Sequence, residues 1–413
     1  MVCLSCYIIV DTYFISQALG ADGLAALNIS AAVFGILFGF GLMIGIGGAI
    51  DYSILKGKGE GGEADSTFTH SMLTGLLISI VFSIIGVFFT APLATLFGAD
   101  ETILPMAHAY MTAILGFAPL FILNSILVAF IRNDNNPRLA MAGMVTGSLS
   151  NIALSYLFLF PLNMGMFGAA FASVCSMFLG ICVLSLHFIM KRNGFRIRKG
   201  KIRIKKAANI LFLGSSAFIN DLSLSIALIT FNLVILGIEG NIGVSAYGIV
   251  ANIAFIVIAV FGGVAQGVQP LLSKGHGFGD SALIKQVLKY AIMVVLALSV
   301  AVYAFVYVFS PQIISIFNSE GNDTLALLAD RGLRTYFVGF LFAGLNIIAS
   351  AFFSAVANAK TGLLISVLRG CVIIIPMAIT LSALYGMTGI WLSFVLSELV
   401  VCALSAKLLF SAM

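Results

Sequence analysis

Residues 191–206 read KRNGFRIRKGKIRIKK. Nine Lys and Arg and no acidic residue fall in these sixteen positions, in a chain with 21 Lys and Arg in all. About two hundred residues of mostly apolar sequence lie on either side. So cationic a run has no place in hydrocarbon, and positively charged loops stay on the cytoplasmic side of a membrane. The run therefore reads as an aqueous cytoplasmic linker between an N-terminal part, 1–190, and a C-terminal part, 207–413.

The chain is 61% hydrophobic and 9% charged, with a mean hydropathy of +1.14. A soluble domain carries about 25% charged residues, so this chain reads as a polytopic membrane protein. Its long apolar segments point to helices; a barrel would show short alternating strands. The net charge of +5 belongs to the basic run. No aromatic-interleaved basic patch accompanies it, so nucleic acid is not an expected partner. The six cysteines fall in apolar segments; Cys3-x-x-Cys6 has redox or metal spacing but no second pair, and reads as small apolar helix residues. The start MVCLSCYIIV lacks the basic n-region of a cleavable signal peptide.

Apolar runs separated by turn residues predict twelve transmembrane helices, at about 1–18, 24–50, 67–91, 104–131, 138–161, 166–190, 207–237, 243–270, 285–309, 331–355, 361–384 and 388–410. An even count puts both termini on the side of the basic run, the cytoplasm. On this topology 19 of the 21 Lys and Arg, Arg369 among them, fall on the cytoplasmic side; Arg331 and Arg334 fall outside.

The halves repeat. Lys56-Gly57-x-Gly59-x-Gly61 recurs as Lys274-Gly275-x-Gly277-x-Gly279, and Gly165-x-x-Gly168 as Gly386-x-x-Gly389. Asn124 and Asn136 recur as Asn346 and Asn358, and Pro92 with Phe97 as Pro311 with Phe317. Offsets of 218 to 222 over much of each half mark a duplication. Each copy holds six predicted helices, so the expected fold is all-α: two six-helix lobes related by a pseudo-twofold along the membrane normal, facing a central cleft. In this register Met1 aligns with Asp221, while the matching helix begins near Ala207. Helix one is therefore expected to be N-terminally truncated by roughly fourteen residues against a span of about 20.

A charged side chain in hydrocarbon costs roughly 2.5–3.5 kcal/mol on insertion scales, so each such residue needs a reason. Asp11, Asp221 (beside Asn220) and Glu398 are the three carboxylates inside predicted helices. Asp11 reads as a cation or proton site, or as a neutral acid bridging helices. The same two readings stand for Asp221 and Glu398. Asn151 and Ser155, four apart, share a face of predicted helix five, and Ser173 lies in the small-residue run of helix six. With Asp11 these can supply the oxygen ligands a small hard cation such as Na⁺ requires; individually, each is equally suited to interhelical hydrogen bonding. Asn124, Gln266 and Gln269 are further polar positions suited to a substrate cavity, with Gln269-Pro270 as a hinge or a simple proline kink.

Other patterns exclude more than they offer. Gly57-x-Gly59-x-x-Gly62 follows a membrane helix, not a strand, so it is no nucleotide fingerprint. Gly35, Gly39, Gly41, Gly45, Gly47 and Gly48 read as helix-packing positions, and Asn133–Pro137 as a helix stop and turn. His108 and His187 have no partner at metal spacing. There is no Walker motif, zinc site or Ser-His-Asp set, so no enzyme and no cofactor are expected.

VDTYFISQALGADGLAALNIS, FILNSILVAFIRNDNNPRLA, NMGMFGAAFASV and GGVAQGVQPLLSKGHGFG together resemble the multidrug and toxic compound extrusion (MATE) transporters, closest to the bacterial DinF-like branch with a V-D-T motif in helix one. The resemblance covers nearly the whole chain. It implies twelve helices in two lobes, location in the bacterial plasma membrane, and export of small organic cations in exchange for Na⁺ or H⁺ by rocker-switch alternating access, with a monomer among membrane lipids as the expected form. It also implies a first-lobe ion site at Asp11, Asn151 and Ser173. Two positions depart from the pattern: Ser155 stands where relatives usually have aspartate, and Ser216 where they usually have proline. Asp221 occupies a position often acidic in similar chains. The alternative within the superfamily is a lipid-linked oligosaccharide flippase or metabolite exporter. Such proteins line the cavity with cationic residues, and here Lys and Arg are nearly absent from the predicted membrane interior.

Overall fold

The computed structural model describes the backbone of residues 2–198, 201, 203–318 and 321–412, with side chains from Tyr7 onward within those ranges. The side chains of Cys3 and Cys6, and Lys199 within the basic run, lie outside the described residues. Those described form helices and the turns between them. Three stretches, Val2–Gly57, Ile204–Phe278 and Ile374–Ala412, are helical throughout except at one glycine each. These glycines, Gly20 (φ 68°, ψ −153°), Gly240 (φ 62°, ψ −152°) and Gly386 (φ 57°, ψ −136°), adopt a backbone conformation that a Cβ opposes.

The chain reverses at each glycine. A straight helix of 75 residues would run about 110 Å at about 1.5 Å per residue, against a hydrocarbon core of about 30 Å. Instead Phe231 and Tyr247, on opposite sides of Gly240, have ring centroids 5.3 Å apart. A Cβ on Gly23 would meet Ile15 at 3.3 Å, and one on Gly389 would strike the Leu381 carbonyl. Eight helices are long and apolar enough to cross a membrane, or up to nine if the bent pair at 104–133 is one span, counting each broken stretch once among the described residues.

The repeat is written in the backbone as well as in the sequence. Gly20 and Gly240 share both dihedrals, and a positive φ recurs at Gly59 (79°) and Gly279 (72°), Gly165 (60°) and Gly386 (57°), and Asn135 and Ala357 (both 60°). The NDNNP stop forms as read: a helix ends at Asn133, and the Asn136 side chain accepts from the Leu139 N–H at the start of Pro137–Leu159.

Three predicted elements differ, and one short helix is additional. The helix predicted at 104–131 is two, Leu104–Gly116 and Ala118–Asn133, bent by 51°, because Pro119 has no N–H and its ring crowds the Leu115 carbonyl. The helix predicted at 331–355 begins earlier, at Asp323, capped by Asn322, and tightens to a 3₁₀ turn over Phe337–Gly339. A short helix, Thr90–Leu96, was not predicted. Finally, the helix predicted at 361–384 contains a π turn, Leu368–Val372, in which the Ile373 N–H donates to the Leu368 carbonyl. Pro376 explains it locally, since it offers no N–H to the Val372 carbonyl.

The chain forms two compact units, Val2–Phe218 and Ile219–Met413, each with its own apolar core. The first is built around Ile15, Leu37, Phe68 and Phe130, the second around Phe231, Phe261, Phe337 and Trp391. Residues 204–218 pack on the first unit with backbone touching backbone: a Cβ on Gly47 would strike the Ile210 carbonyl, and one on Gly214 the Met43 carbonyl. The glycine-rich face of 41–48 is thus a packing face, with Gly41 and Gly45 against Ser125 and Gly48 against Ser71.

The basic segment is anchored to the first unit. Phe195 is fully buried against Tyr52, Phe68, Phe130 and Phe188. Asp134 accepts from the Tyr52 hydroxyl at 2.6 Å, the Gly194 N–H at 2.5 Å and His187 Nε2 at 2.9 Å. Arg203 and Lys206 both reach Glu63, at 2.7 and 3.0 Å.

Candidate functional site

In the first unit, Asp11 lies one helical turn after Tyr7, in the arm before Gly20, and is buried. The Ser155 hydroxyl donates to Asp11 Oδ1 at 2.7 Å. One turn earlier on the same helix, Asn151 Nδ2 donates to Ser173 Oγ at 3.0 Å. The helices Pro137–Leu159 and Gly165–Ile189 approach closely because small residues line their contact, with Gly143 against Leu184 and Gly147 near the Ser176 carbonyl. The structure thus brings together Asp11 with Ser155, and Asn151 with Ser173.

Two acceptors there lack a protein donor among the described residues. Asn151 Oδ1 is buried and accepts no hydrogen bond, and Asp11 Oδ2 receives none. Buried polar atoms without partners are uncommon. A carboxylate oxygen, an amide oxygen and two hydroxyls form an oxygen set of the kind a hard cation or a proton takes. Tyr7, one turn before Asp11, and Tyr110 are buried. Asn124 stands apart, half-buried at the contact with Gly180.

In the second unit the expected residues do not converge. Asn220 and Asp221 are half-buried, and Asp221 makes no side-chain hydrogen bond or ion pair among the described residues. Gln266 is half-buried, while Gln269 is buried and donates to Ser273 Oγ at 3.1 Å; the helix continues through Pro270. Glu398 has the strongest setting. Its Oε1 accepts from Arg369 Nε at 2.6 Å and its Oε2 from Asn346 Nδ2 at 2.8 Å.

The burial of Arg369 departs from its reading as one of the solvated cytoplasmic charges. Arg369 sits in the π turn, eleven residues into its helix, and is 7% exposed. Charge sorting treats every arginine as solvated; a buried carboxylate partner overrides that. The clue was present in the sequence, since Glu398 in an apolar run needs a cationic neighbour and Arg369 is the only arginine between 335 and 413. Asn346 is the repeat partner of Asn124, yet the position matching Glu398 in the first copy, 222 residues earlier, is Ser176. The two copies therefore keep the asparagine and place their buried carboxylates differently.

The model of the MatE family matches residues 1–157 and 217–380. The chain is 26% identical over 405 residues to the multidrug export protein MepA of Staphylococcus saprophyticus, covering 98% of this chain and 88% of that protein. It superimposes on the outward-facing conformation of a multidrug resistance MATE family transporter of the MOP superfamily with a TM-score of 0.93 at 23% identity, over 99% of this chain and 92% of the other. A MOP superfamily transporter from Pyrococcus furiosus, described as having a binding pocket of reversed polarity that suggests a different function, gives a TM-score of 0.90 at 23% identity, over 98% and 90%. At these identities the structural matches show the fold. With several apolar helices and a family model matching most of its length, this multi-pass membrane protein belongs to the MatE family, the multidrug and toxic compound extrusion transporters its motifs resemble.

Proposed function

We propose that this chain is a secondary active multidrug efflux transporter of the bacterial plasma membrane, exporting small organic cations in exchange for Na⁺ or H⁺ by rocker-switch alternating access. The proposal includes twelve membrane-spanning helices in two pseudo-twofold lobes, with both termini cytoplasmic. Breaks at Gly20, Gly240 and Gly386, and the matching dihedrals in the two copies, support it. The relatives are named export proteins, which supports a transporter over an enzyme.

The observation that carries the coupling role is buried Asp11, bonded by Ser155, which lies one helical turn from Asn151 and its unsatisfied oxygen. One carboxylate in a low-dielectric site neutralises one positive charge but not comfortably two. Na⁺ or H⁺ at Asp11 then disfavours a lipophilic cation in the same field, and cation binding releases the ion. Each charge moved inward contributes about 2.3 kcal/mol per 100 mV. Asn151, Ser155 and Ser173 serve as further oxygen ligands, and Asn124, Asn220, Asp221, Gln266, Gln269 and Glu398 as cavity or coupling positions. Ethidium efflux from vesicles energised by Na⁺ or pH gradients tests this: Asp11→Asn is expected to abolish the ion-coupled component.

One observation favours the second reading, a flippase or metabolite exporter for anionic cargo: a guanidinium, Arg369, lies in the helix interior where none was expected. Uptake of labelled organic cation against labelled anionic metabolite into proteoliposomes separates the two.

A further inference from the structure

The described part of the basic segment is fastened largely by its backbone. The N–H groups of Arg196, Arg198 and Arg203 donate to Asp65 Oδ1 at 3.1 Å, Thr69 Oγ1 at 2.9 Å and His70 Nε2 at 2.9 Å. All three acceptors lie in the first three turns of Gly61–Phe88, a helix long and apolar enough to cross a membrane. Gly194 is held at its N–H by Asp134 and at its carbonyl by Lys56 Nζ at 2.6 Å, beside buried Phe195. Gly165–Ile189 leads into the segment and Ile204–Phe278 leads out of it, so three candidate membrane spans meet here.

This mode of attachment leaves most of the cationic heads free. Arg203 and Lys206 close on Glu63. Lys191, Arg192, Arg196, Arg198, Lys201 and Lys205 are exposed, and their charged groups make no ion pair or hydrogen bond among the described residues. The carboxylates that the segment touches are already engaged: Glu63 by Arg203 and Lys206, Asp65 by the Arg196 N–H, and Asp134 by Tyr52, His187 and Gly194. Two large apolar side chains stand among these cations, Ile197 at 72% and Ile204 at 82% exposure. A dissolved polyanion would match the cations alone. The headgroup region of a bilayer matches both, with anionic phosphates for the cations and an apolar boundary for the isoleucines.

We propose that the 191–206 segment docks on anionic phospholipid, its six unengaged cations meeting headgroup phosphates while Ile197 enters the interface. The backbone ties hold the cations beside the ends of the membrane helices, where those phosphates lie. The surface is separate from Asp11, and it adds a lipid partner that the transport reading does not require.

The test uses the purified full-length protein carrying Ile197→Trp, in micelles of a neutral detergent mixed with brominated phosphatidylglycerol or brominated phosphatidylcholine. Bromine quenches a tryptophan it touches, and Trp391, the only native tryptophan, is buried and contributes a constant background. Micelles have no sides, so the result does not depend on which face of the membrane carries the segment. Quenching is expected at an at least about tenfold lower fraction of phosphatidylglycerol than of phosphatidylcholine, and added NaCl should narrow that gap. Neutralising Arg192, Arg196, Arg198 and Lys201 to Gln should remove the preference. Neutralising Lys285, Lys289, Lys360 and Lys407 to Gln, an equal loss of charge in the second unit, should leave it in place. Equal quenching by the two lipids, or the same loss in both quadruple variants, overturns the proposal. So does relief of quenching by inorganic phosphate beyond that of chloride at equal ionic strength, which would mark a site for free phosphate. Ion-coupled efflux that persists alongside equal quenching rejects the lipid surface and leaves the transport reading standing.

Discussion

Arg369 Nε meets Glu398 Oε1 at 2.6 Å, joining residues 29 apart in sequence through side chains that are 8% and 2% exposed. A buried pair of this kind depends on both members. Removing one leaves an uncompensated charge at a cost of about 3–5 kcal/mol, whereas exchanging both for apolar residues is often neutral.

Glu398→Gln and Arg369→Met should therefore each lower the thermal midpoint of the detergent-solubilised protein by several degrees, and the double Met variant should recover most of the loss. Additive losses in the double variant would show that the two residues do not act as a pair.

Among the described residues Ser155 supplies the one hydrogen bond to the Asp11 carboxylate, at 2.7 Å. A bond to a charged group contributes about 1.5–3 kcal/mol. Ser155→Ala is expected to slow ion-coupled ethidium efflux at least about tenfold, by roughly 1.4 kcal/mol, with Ser155→Thr retaining most activity because it keeps the hydroxyl. Equal efflux by wild type and Ser155→Ala would remove Ser155 from the site.

Phe195 plugs the basic segment into the first unit and is fully buried. Phe→Ala in a core costs about 3–5 kcal/mol, but here the loss is local release of a surface segment. Trypsin should cut within 191–206 much faster in Phe195→Ala than in the wild type, and unchanged cleavage would show that the aromatic contact does not hold the segment.

Two glycines make a matched control. A Cβ on Gly214 would strike the Met43 carbonyl, and one on Gly237 meets nothing within 4 Å. Gly214→Leu should prevent recovery of monodisperse protein, while Gly237→Leu should be recovered at near wild-type yield. Equal yields would contradict the backbone contact.

The sequence made several features legible. The breaks between the helices predicted at 1–18 and 24–50 and at 207–237 and 243–270, the stop at Asn133–Pro137 and the glycine face at 41–48 each rest on local chemistry: turn residues between apolar runs, a helix-ending proline segment, a missing Cβ. What it did not reveal depends on residues far apart in the chain. The burial of Arg369 needed Glu398 from another helix, and the anchoring of Phe195 needed the Tyr52–Phe130 cluster. The π turn at 368–372 had a local cause in Pro376, but a proline in an apolar run predicts a kink without specifying its form. For the candidate ion site the sequence proposed Asp11, Asn151, Ser155 and Ser173 as one group, and the fold pairs them as Asp11–Ser155 and Asn151–Ser173.

The account turns on Asp11 as the single exchangeable negative group of the first unit. Ethidium efflux from vesicles carrying Asp11→Asn, driven in turn by a Na⁺ and a pH gradient, tests that most directly. Loss of gradient-driven efflux under both, with the protein present at wild-type levels, is the predicted result; efflux at the wild-type rate under either gradient would contradict it.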